Sequence, residues 1–365
     1  MKIGMTGTLE NERQVRAGFI GCGSHSFRNL YPTFQFASVD LQAVCDLDQA
    51  KADAFARQFG AHAAYTDYRE MLAQEGLDVV FICAGYRNGR PLYPDLAVGC
   101  LEAGCHVWIE KPPAGSCAEI ERMQQAAGAS GKTVMVGLKK MFFPANVKAK
   151  ALAGEPDFGS ISHVMLEYPQ SIPTVQDFAD YRAGGVNGVV SFLDHLCHPA
   201  SLLLLLAGMP DTLYYTRNRH GGGVALFTYD TGITATIAFT HGASPANCGQ
   251  EFTKILSDSG RHITVENGIR LTYHRTPPSK GYGKSPDYFL GSTEQVSAVW
   301  EPEFSLGQLY NKGLFLLGYY GEIQEMAEAV LENRVPVNGT LEQAWQVTRI
   351  FEAFAEGPEK QIRLS

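Results

Sequence analysis

Residues 192–200 read FLDHLCHPA, which places Asp194, His195, Cys197 and His198 close together. Aspartate and histidine can together move a proton at neutral pH, because imidazole titrates near 6.5 and a carboxylate favours its charged form. On a helix Asp194 and His198 are i, i+4 neighbours on one face, near enough to share a hydrogen bond or a substrate. The same cluster admits two other readings. His195, His198, Asp194 and Cys197 could ligate a metal, but no further His or Cys pair stands at zinc-ligand spacing and Cys197 would point away from His198. They could also be polar residues satisfied by backbone at a helix start, since Leu202 to Leu206 follow at once. Pro199 has no amide hydrogen to return to His195, which predicts a kink or a new turn here.

Such a pair works only if something holds it against a substrate. A chain of 365 residues exceeds one ordinary core, so two domains are expected. The net charge of −8 argues against a nucleic-acid partner, which would call for a basic stripe. The leucine run ends at Gly208 and Pro210, short of the roughly 20 residues of a membrane span. No apolar leader opens the sequence, and the eight cysteines are scattered through apolar runs without a CxxC. These features predict a soluble, cytoplasmic protein with reduced thiols.

The N-terminal half alternates strand and helix, the pattern of a doubly wound α/β sheet. VRAGFIGCGSHS gives a strand to Ile20, a turn at Gly21-Cys22-Gly23, and a helix opening at Ser24 and His25. Gly21 permits the tight turn and Gly23 lets backbone approach a pyrophosphate, while Ser26 replaces the third glycine of G-x-G-x-x-G. Asp46 ends the next strand, roughly 20 residues on, where a carboxylate meets an adenosine ribose. No arginine immediately follows it and a 2′-phosphate would be repelled there, so NAD is expected over NADP. A further strand (LDVVFICAG), a helix near Pro94 to Ala103, and the strands HVWIE and TVMVG complete the half; residues 1–14 read as an extension.

At Glu110-Lys111-Pro112 the chain begins to resemble the glucose-fructose oxidoreductase, inositol dehydrogenase and MocA (Gfo/Idh/MocA) family. GCLEAGCHVWIEKP carries its EKP signature, and Gly188, Asp194 and His198 in NGVVSFLDHLCH follow its spaced Asp/His motif. The segment YYGEIQEMAEAVLENRVPVNGTLEQAWQVTRIFEA is similar to its closing helices, about residues 319–357. The resemblance implies an NAD-dependent oxidoreductase with Lys111, Asp194 and His198 in the catalytic positions: His198 the acid/base, Asp194 its partner, Lys111 the electrostatic helper. It also extends the cofactor set from Gly21, Cys22, Gly23, Ser24, His25 and Asp46 to Ala84, Glu110 and Lys111. Expected substrates are a sugar, polyol or related ring hydroxyl, with no metal. GLKKMFFP departs from the family's G-F-N-R-R-F-D-P at Met141 and Phe143, and Ser201 stands where members often have a second aspartate. Lys139 and Lys140 remain candidates for substrate contact, with His195 and with Tyr181 or Arg182 at the site mouth.

After residue 138 the texture changes. ALFTYDTGITATIAFTH reads as a hairpin around Asp230-Thr231-Gly232, and RHITVENGIRLTYH as one around Asn267-Gly268. With ISHVMLEYP these predict an α+β domain, residues 138–365, whose large, mainly antiparallel sheet has an open face. The family resemblance suggests that another subunit covers it, as a dimer or tetramer. Tyr282, Tyr288, Trp300 and Tyr310, in the long segment 275–312, offer flat faces for a sugar ring or for a neighbouring subunit. Two rival functions share the N-terminal fold: an NAD-recycling glycoside hydrolase that couples oxidation, elimination, hydration and reduction, and a non-catalytic dinucleotide sensor. The sensor has no chemical need for Lys111, Asp194 and His198 together.

Overall fold

The structure, a computed structural model, describes residues 13–240, 250–275, 297–302 and 312–364. Residues 1–12 of the expected extension, and Tyr282, Tyr288 and Tyr310, lie outside the described residues. The chain begins with β1 (Val15–Ile20), β2 (Val39–Cys45), α1 (Gln49–Phe59), β3 (Ala63–Tyr65), α2 (Tyr68–Gln74) and β4 (Val79–Ile82). A small hairpin, β5 (Tyr86–Arg87) and β6 (Arg90–Pro91), precedes α3 (Tyr93–Glu102), β7 (His106–Ile109), α4 (Cys117–Ser130) and β8 (Val134–Val136). Then come α5 (Pro144–Ala153), β9 (Ile161–Tyr168), α6 (Val175–Arg182) and α7 (Gly188–Ala207). Strands β10 (Thr212–Tyr215), β11 (Gly223–Thr228), β12 (Thr234–Phe239), β13 (Phe252–Ser257), β14 (His262–Glu266), β15 (Arg270–His274) and β16 (Ser297–Trp300) follow. Helices α8 (Lys312–Leu316), α9 (Tyr319–Glu332) and α10 (Leu341–Phe354) and the short β17 (Ile362–Arg363) close it.

Two compact units emerge, and the division is not a single cut after residue 137. The first comprises Met1–Phe142, Gln176–His198 and Asn311–Glu352; the second Phe143–Val175, Pro199–Tyr310 and Ala353–Ser365. The segment bearing Asp194 and His198 therefore packs with the nucleotide-binding pattern.

In the first unit a six-stranded parallel sheet runs β3-β2-β1-β4-β7-β8. This order reverses direction at β1/β4, so a crevice opens beyond the carboxyl ends of those strands, where such sheets bind ligands. Helices start where the sequence caps them. Asp48 accepts the Ala50 and Lys51 amides ahead of α1; Ser116 accepts the Glu119 amide ahead of α4, while Glu119 takes the Gly115 amide. After the glycine turn the chain makes a π turn over Ser26–Leu30 and a 3₁₀ turn over Tyr31–Gln35 in place of a regular α-helix. Their buried Leu30, Tyr31 and Phe34 join Phe19, Phe81 and Trp108 in one core, to which α9 adds Tyr319, Ile323 and Met326. Fully burying side chains of this size contributes about 1.5–3 kcal/mol each, which is what fixes α9 beside the parallel sheet.

The second unit carries a nine-stranded sheet, β16-β15-β14-β13-β9-β12-β11-β10-β17, antiparallel except between β9 and β12. Both expected hairpins are present, and Asn267 and Gly268 both have positive φ, as a type I′ turn requires. One face is buried, through residues such as Val164, Leu166, Ile237 and Ile263, while Met165, Val224, Leu226 and Val299 are exposed on the other. Helix α7 continues through Pro199 without a break. It is long and apolar enough to cross a membrane by composition alone, but most of that stretch is buried within the fold.

Candidate active site

The crevice beyond β1 and β4 has the features a dinucleotide needs. Gly21 sits at φ +111°, and a Cβ there would lie 2.1 Å from the Cys83 carbonyl oxygen, so no other residue fits. A Cβ at Gly23 would meet no protein atom within 4 Å, leaving backbone open to an approaching phosphate. Asp46, at the end of β2, ties the turn down: Oδ2 accepts the Cys22 amide at 2.8 Å and Oδ1 the Asp48 amide at 3.0 Å. Ser24 is exposed beside the turn, and Ala84 is half-buried just after β4. These residues fit an adenine dinucleotide, for which a carboxylate at the end of β2 is the usual ribose partner.

Glu110 and Lys111 follow β7 directly. Glu110 is 3% exposed. Its Oε1 accepts His25 Nε2–H at 2.9 Å and its Oε2 accepts the Lys111 amide at 2.7 Å. A carboxylate can only accept and Asn29 Nδ2 can only donate to His25 Nδ1, so the hydrogen bonds assign the His25 tautomer. Burial opposes the Glu110 charge, but the His25 bond and the ammonium groups of Lys111 and Lys139 outweigh it and hold the acid below its usual range.

The first turns of α7 bring Asp194 to this strand end. Lys111 Nζ donates to Asp194 Oδ1 at 2.7 Å, and both side chains are largely buried. Burial again opposes the charge on Lys111, yet Glu110 and Asp194 raise its ammonium above the ordinary lysine range. Asp194 gives its carboxylate to Lys111 and to the Tyr86 hydroxyl (3.2 Å), with His195 Nδ1 at 3.7 Å from Oδ2. Asp194 thus has in Lys111 a charged partner from outside its own helix. His198 lies one turn on. Burial and the cations Lys111, Lys139 and Lys140 push its imidazole well below the usual range, so it is neutral at physiological pH and able to accept a proton.

The remaining candidates separate. Lys139 is in the cluster: Nζ donates to the buried Tyr319 hydroxyl at 3.0 Å, and burial lowers its pKa despite Glu110 nearby. Lys140 is buried. His195 is turned back on its own helix, Nδ1 donating to the Ser191 carbonyl at 2.8 Å. Tyr181 is not a side chain free at the site mouth: it is 2% exposed, with the Arg90 guanidinium 3.8 Å over its ring and drawn there by the ring's negative face. Arg182 is exposed. The Cys197 thiol donates to the Leu193 carbonyl, and no metal-ligating group of three or more His, Cys, Asp or Glu occurs among the described residues. Two site residues escaped the sequence reading. Tyr86 is brought in by the β5–β6 hairpin, whose Asn88-Gly89 dipeptide was a readable signal. Glu322, on α9, is fully buried with neither carboxyl oxygen hydrogen-bonded, and nothing in the local sequence marks it.

The assembled groups can bind a hydroxyl. A carbinol oxygen reaching Lys111 Nζ would meet a strong charged donor, the kind of group that stabilises alkoxide character.

Residues 15–138 match the family described as oxidoreductase family, NAD-binding Rossmann fold. Over 231 residues the chain is 28% identical to D-xylose 1-dehydrogenase (NADP(+)) 2 of Haloferax volcanii, covering 60% of this chain and 67% of that one. Over 325 residues it is 24% identical to trans-1,2-dihydrobenzene-1,2-diol dehydrogenase of Sus scrofa, covering 79% and 93%. Among solved structures, a dehydrogenase from Chromobacterium violaceum matches with a TM-score of 0.79 at 20% identity, over 95% of this chain and 96% of that one. The myo-inositol 2-dehydrogenase of Lactobacillus plantarum matches at 0.68 and 21%, over 96% and 99%. At these identities the structural matches establish the fold.

Proposed function

Residues 15–138 belong to the Gfo/Idh/MocA oxidoreductases, and from that premise we propose that the protein is an NAD-dependent dehydrogenase acting on a ring hydroxyl of a sugar, polyol or related compound. The observation that carries the reading is Lys111, held charged on Asp194 at 2.7 Å at the edge of the dinucleotide crevice, with neutral His198 one helical turn away. Bound in that crevice, the nicotinamide would supply the hydride acceptor. Lys111 donates to the substrate oxygen and stabilises its developing negative charge, His198 takes the hydroxyl proton, and Asp194 holds Lys111 in place. The relatives named for D-xylose and for a cyclic dihydrodiol support the substrate class.

The test follows NADH absorbance and product together as purified protein meets NAD with D-xylose, myo-inositol and an aryl glycoside. NADH rising with an oxidised product supports the dehydrogenase; glycoside cleavage without net NADH would transfer the site to the recycling hydrolase. His198→Ala should lower kcat about 10²-fold with NAD affinity retained. Unchanged turnover removes His198 from the mechanism.

For the cofactor, the Asp46 carboxylate beside the ribose position supports NAD, since a 2′-phosphate would meet like charge there. The named NADP preference of the Haloferax relative makes this a useful contrast. Asp46→Ser should shift the NADP/NAD ratio of kcat/KM upward by about tenfold or more, the equivalent of roughly 1.4 kcal/mol. A ratio unmoved by the substitution would show that Asp46 does not set the preference.

The exposed apolar positions on the nine-stranded sheet, Met165, Val224 and Leu226 among them, support a homo-oligomer in which a second copy covers that face. The free thiols of the described cysteines support a reducing, cytoplasmic setting.

A further inference from the structure

The β5–β6 hairpin is an addition to the plain strand-to-helix crossover between β4 and α3, and it is fastened on several sides. Asn88 and Gly89 form its turn with φ of 51° and 73°, the pair of left-handed residues that a two-residue hairpin loop prefers. Gly89 packs so closely that a Cβ would approach Val190 and Val186 to 3.1 and 3.2 Å. Arg90 stacks on the Tyr181 ring and donates to the Tyr181 carbonyl at 2.8 Å, and the Tyr181 hydroxyl reaches the Gly89 carbonyl at 3.4 Å. The hairpin is a fixed wall rather than a lid.

That wall delivers one side chain to the site. The Tyr86 hydroxyl donates to Asp194 Oδ1, the oxygen that also receives Lys111 Nζ. Both donors use one oxygen, and Oδ2 lies 3.7 Å from His195 Nδ1. The Tyr86 residue nevertheless keeps 39% of its surface exposed. With its hydroxyl anchored in the site, its ring must lie alongside the Lys111–Asp194 pair within one side-chain length. A partly uncovered aromatic side chain beside a donor–acceptor pair suits a cyclic compound, which can lay C–H groups on the ring while its hydroxyl meets the polar groups. An open-chain polyol has no flat face to offer and loses more conformational freedom on binding.

We infer that Tyr86 is a specificity-determining residue: its ring, presented by the β5–β6 hairpin, is the surface on which a cyclic substrate lies while its hydroxyl positions Asp194. This inference rests on the dehydrogenase reading above and adds the residue that selects ring over open-chain substrates.

The experiment compares wild type, Tyr86→Phe and Tyr86→Leu, each with NAD and with D-xylose, myo-inositol or xylitol, the last being an open-chain counterpart of xylose. Tyr86→Phe keeps the ring and should leave KM for the cyclic compounds unchanged while kcat falls about three- to tenfold through the lost bond to Asp194. Tyr86→Leu should raise KM for the cyclic compounds about tenfold and leave that for xylitol unchanged. In Tyr86→Leu, equal changes of KM for ring and open-chain compounds, or an unaltered KM for the rings, would overturn the inference. Wild-type preference for xylitol would overturn it as well and leave the dehydrogenase reading standing. No NADH from any of the three with wild type would remove that reading and this inference with it.

Discussion

Replacing Lys111 by methionine should lower kcat/KM by about 10³- to 10⁴-fold and leave NAD affinity within about threefold. Methionine keeps most of the length and apolar stem of lysine, and the Lys111 side chain is only 14% exposed, so packing survives the exchange. What disappears is the ammonium that Glu110 and Asp194 hold in its charged form. In the proposed reaction the oxygen losing its proton would then lack the ammonium held beside Asp194, and alkoxide character would develop with less support. Asp194 loses its strongest partner at the same time and keeps Tyr86. Lys111→Met and Asp194→Asn should therefore be non-additive, the double variant being little worse than Lys111→Met alone. Steady-state kinetics with the substrate found active, together with an equilibrium NAD titration, measure both quantities. A kcat/KM within tenfold of wild type would exclude Lys111 from the chemistry.

The largest stability effect should come from Glu322→Gln. Glu322 is fully buried with no hydrogen-bond partner for either oxygen; burial first, and the Glu110 charge second, raise its pKa well above the usual carboxyl range. In the native state it is therefore a neutral acid where an unfolded glutamate has already ionised. Between the ordinary carboxyl pKa and the raised native one, the native state binds more protons than the unfolded state. Stability consequently falls as pH rises through that window, by about 1.4 kcal/mol per unit. Glutamine has nothing to titrate, so the advantage of Glu322→Gln over wild type should widen from pH 5 to pH 8 and show in urea midpoints at constant m. Curves that run parallel across that range would mean that Glu322 does not titrate as argued. Glu322→Met, which removes the polar atoms altogether, gives a second reading that does not depend on how an amide is accommodated.

Much of this molecule could be read from its residues alone. Continuous apolar strands such as VVFI and HVWI must be buried on both faces, and their alternation with helices leaves few arrangements other than the parallel sheet observed. The Gly21-Cys22-Gly23 turn and Asp46 were legible because each answers a backbone or charge requirement that few residues meet. Asp194 and His198 were legible as one helix face. The partner of Asp194 was not, because Lys111 is far away in sequence and only the fold brings it to 2.7 Å. The three half-buried residues of β3 and the two-residue strands of the hairpin are too short to show alternation. Glu322 was invisible for another reason: an acid in the first turn of a helix normally faces water and complements the helix dipole, and packing alone put this one inside.

The hairpin bearing Tyr86 begins and ends on paired antiparallel residues, Tyr86 opposite Pro91. Its two ends leave the crossover at nearly the point where they enter it. The parallel sheet is therefore indifferent to what the hairpin carries at its ends, whereas the tip admits no extra residues, since Gly89 already lies against Val186 and Val190. The change this loop admits without moving β4 or α3 is a substitution at Tyr86, the residue it brings to the Lys111–Asp194 pair.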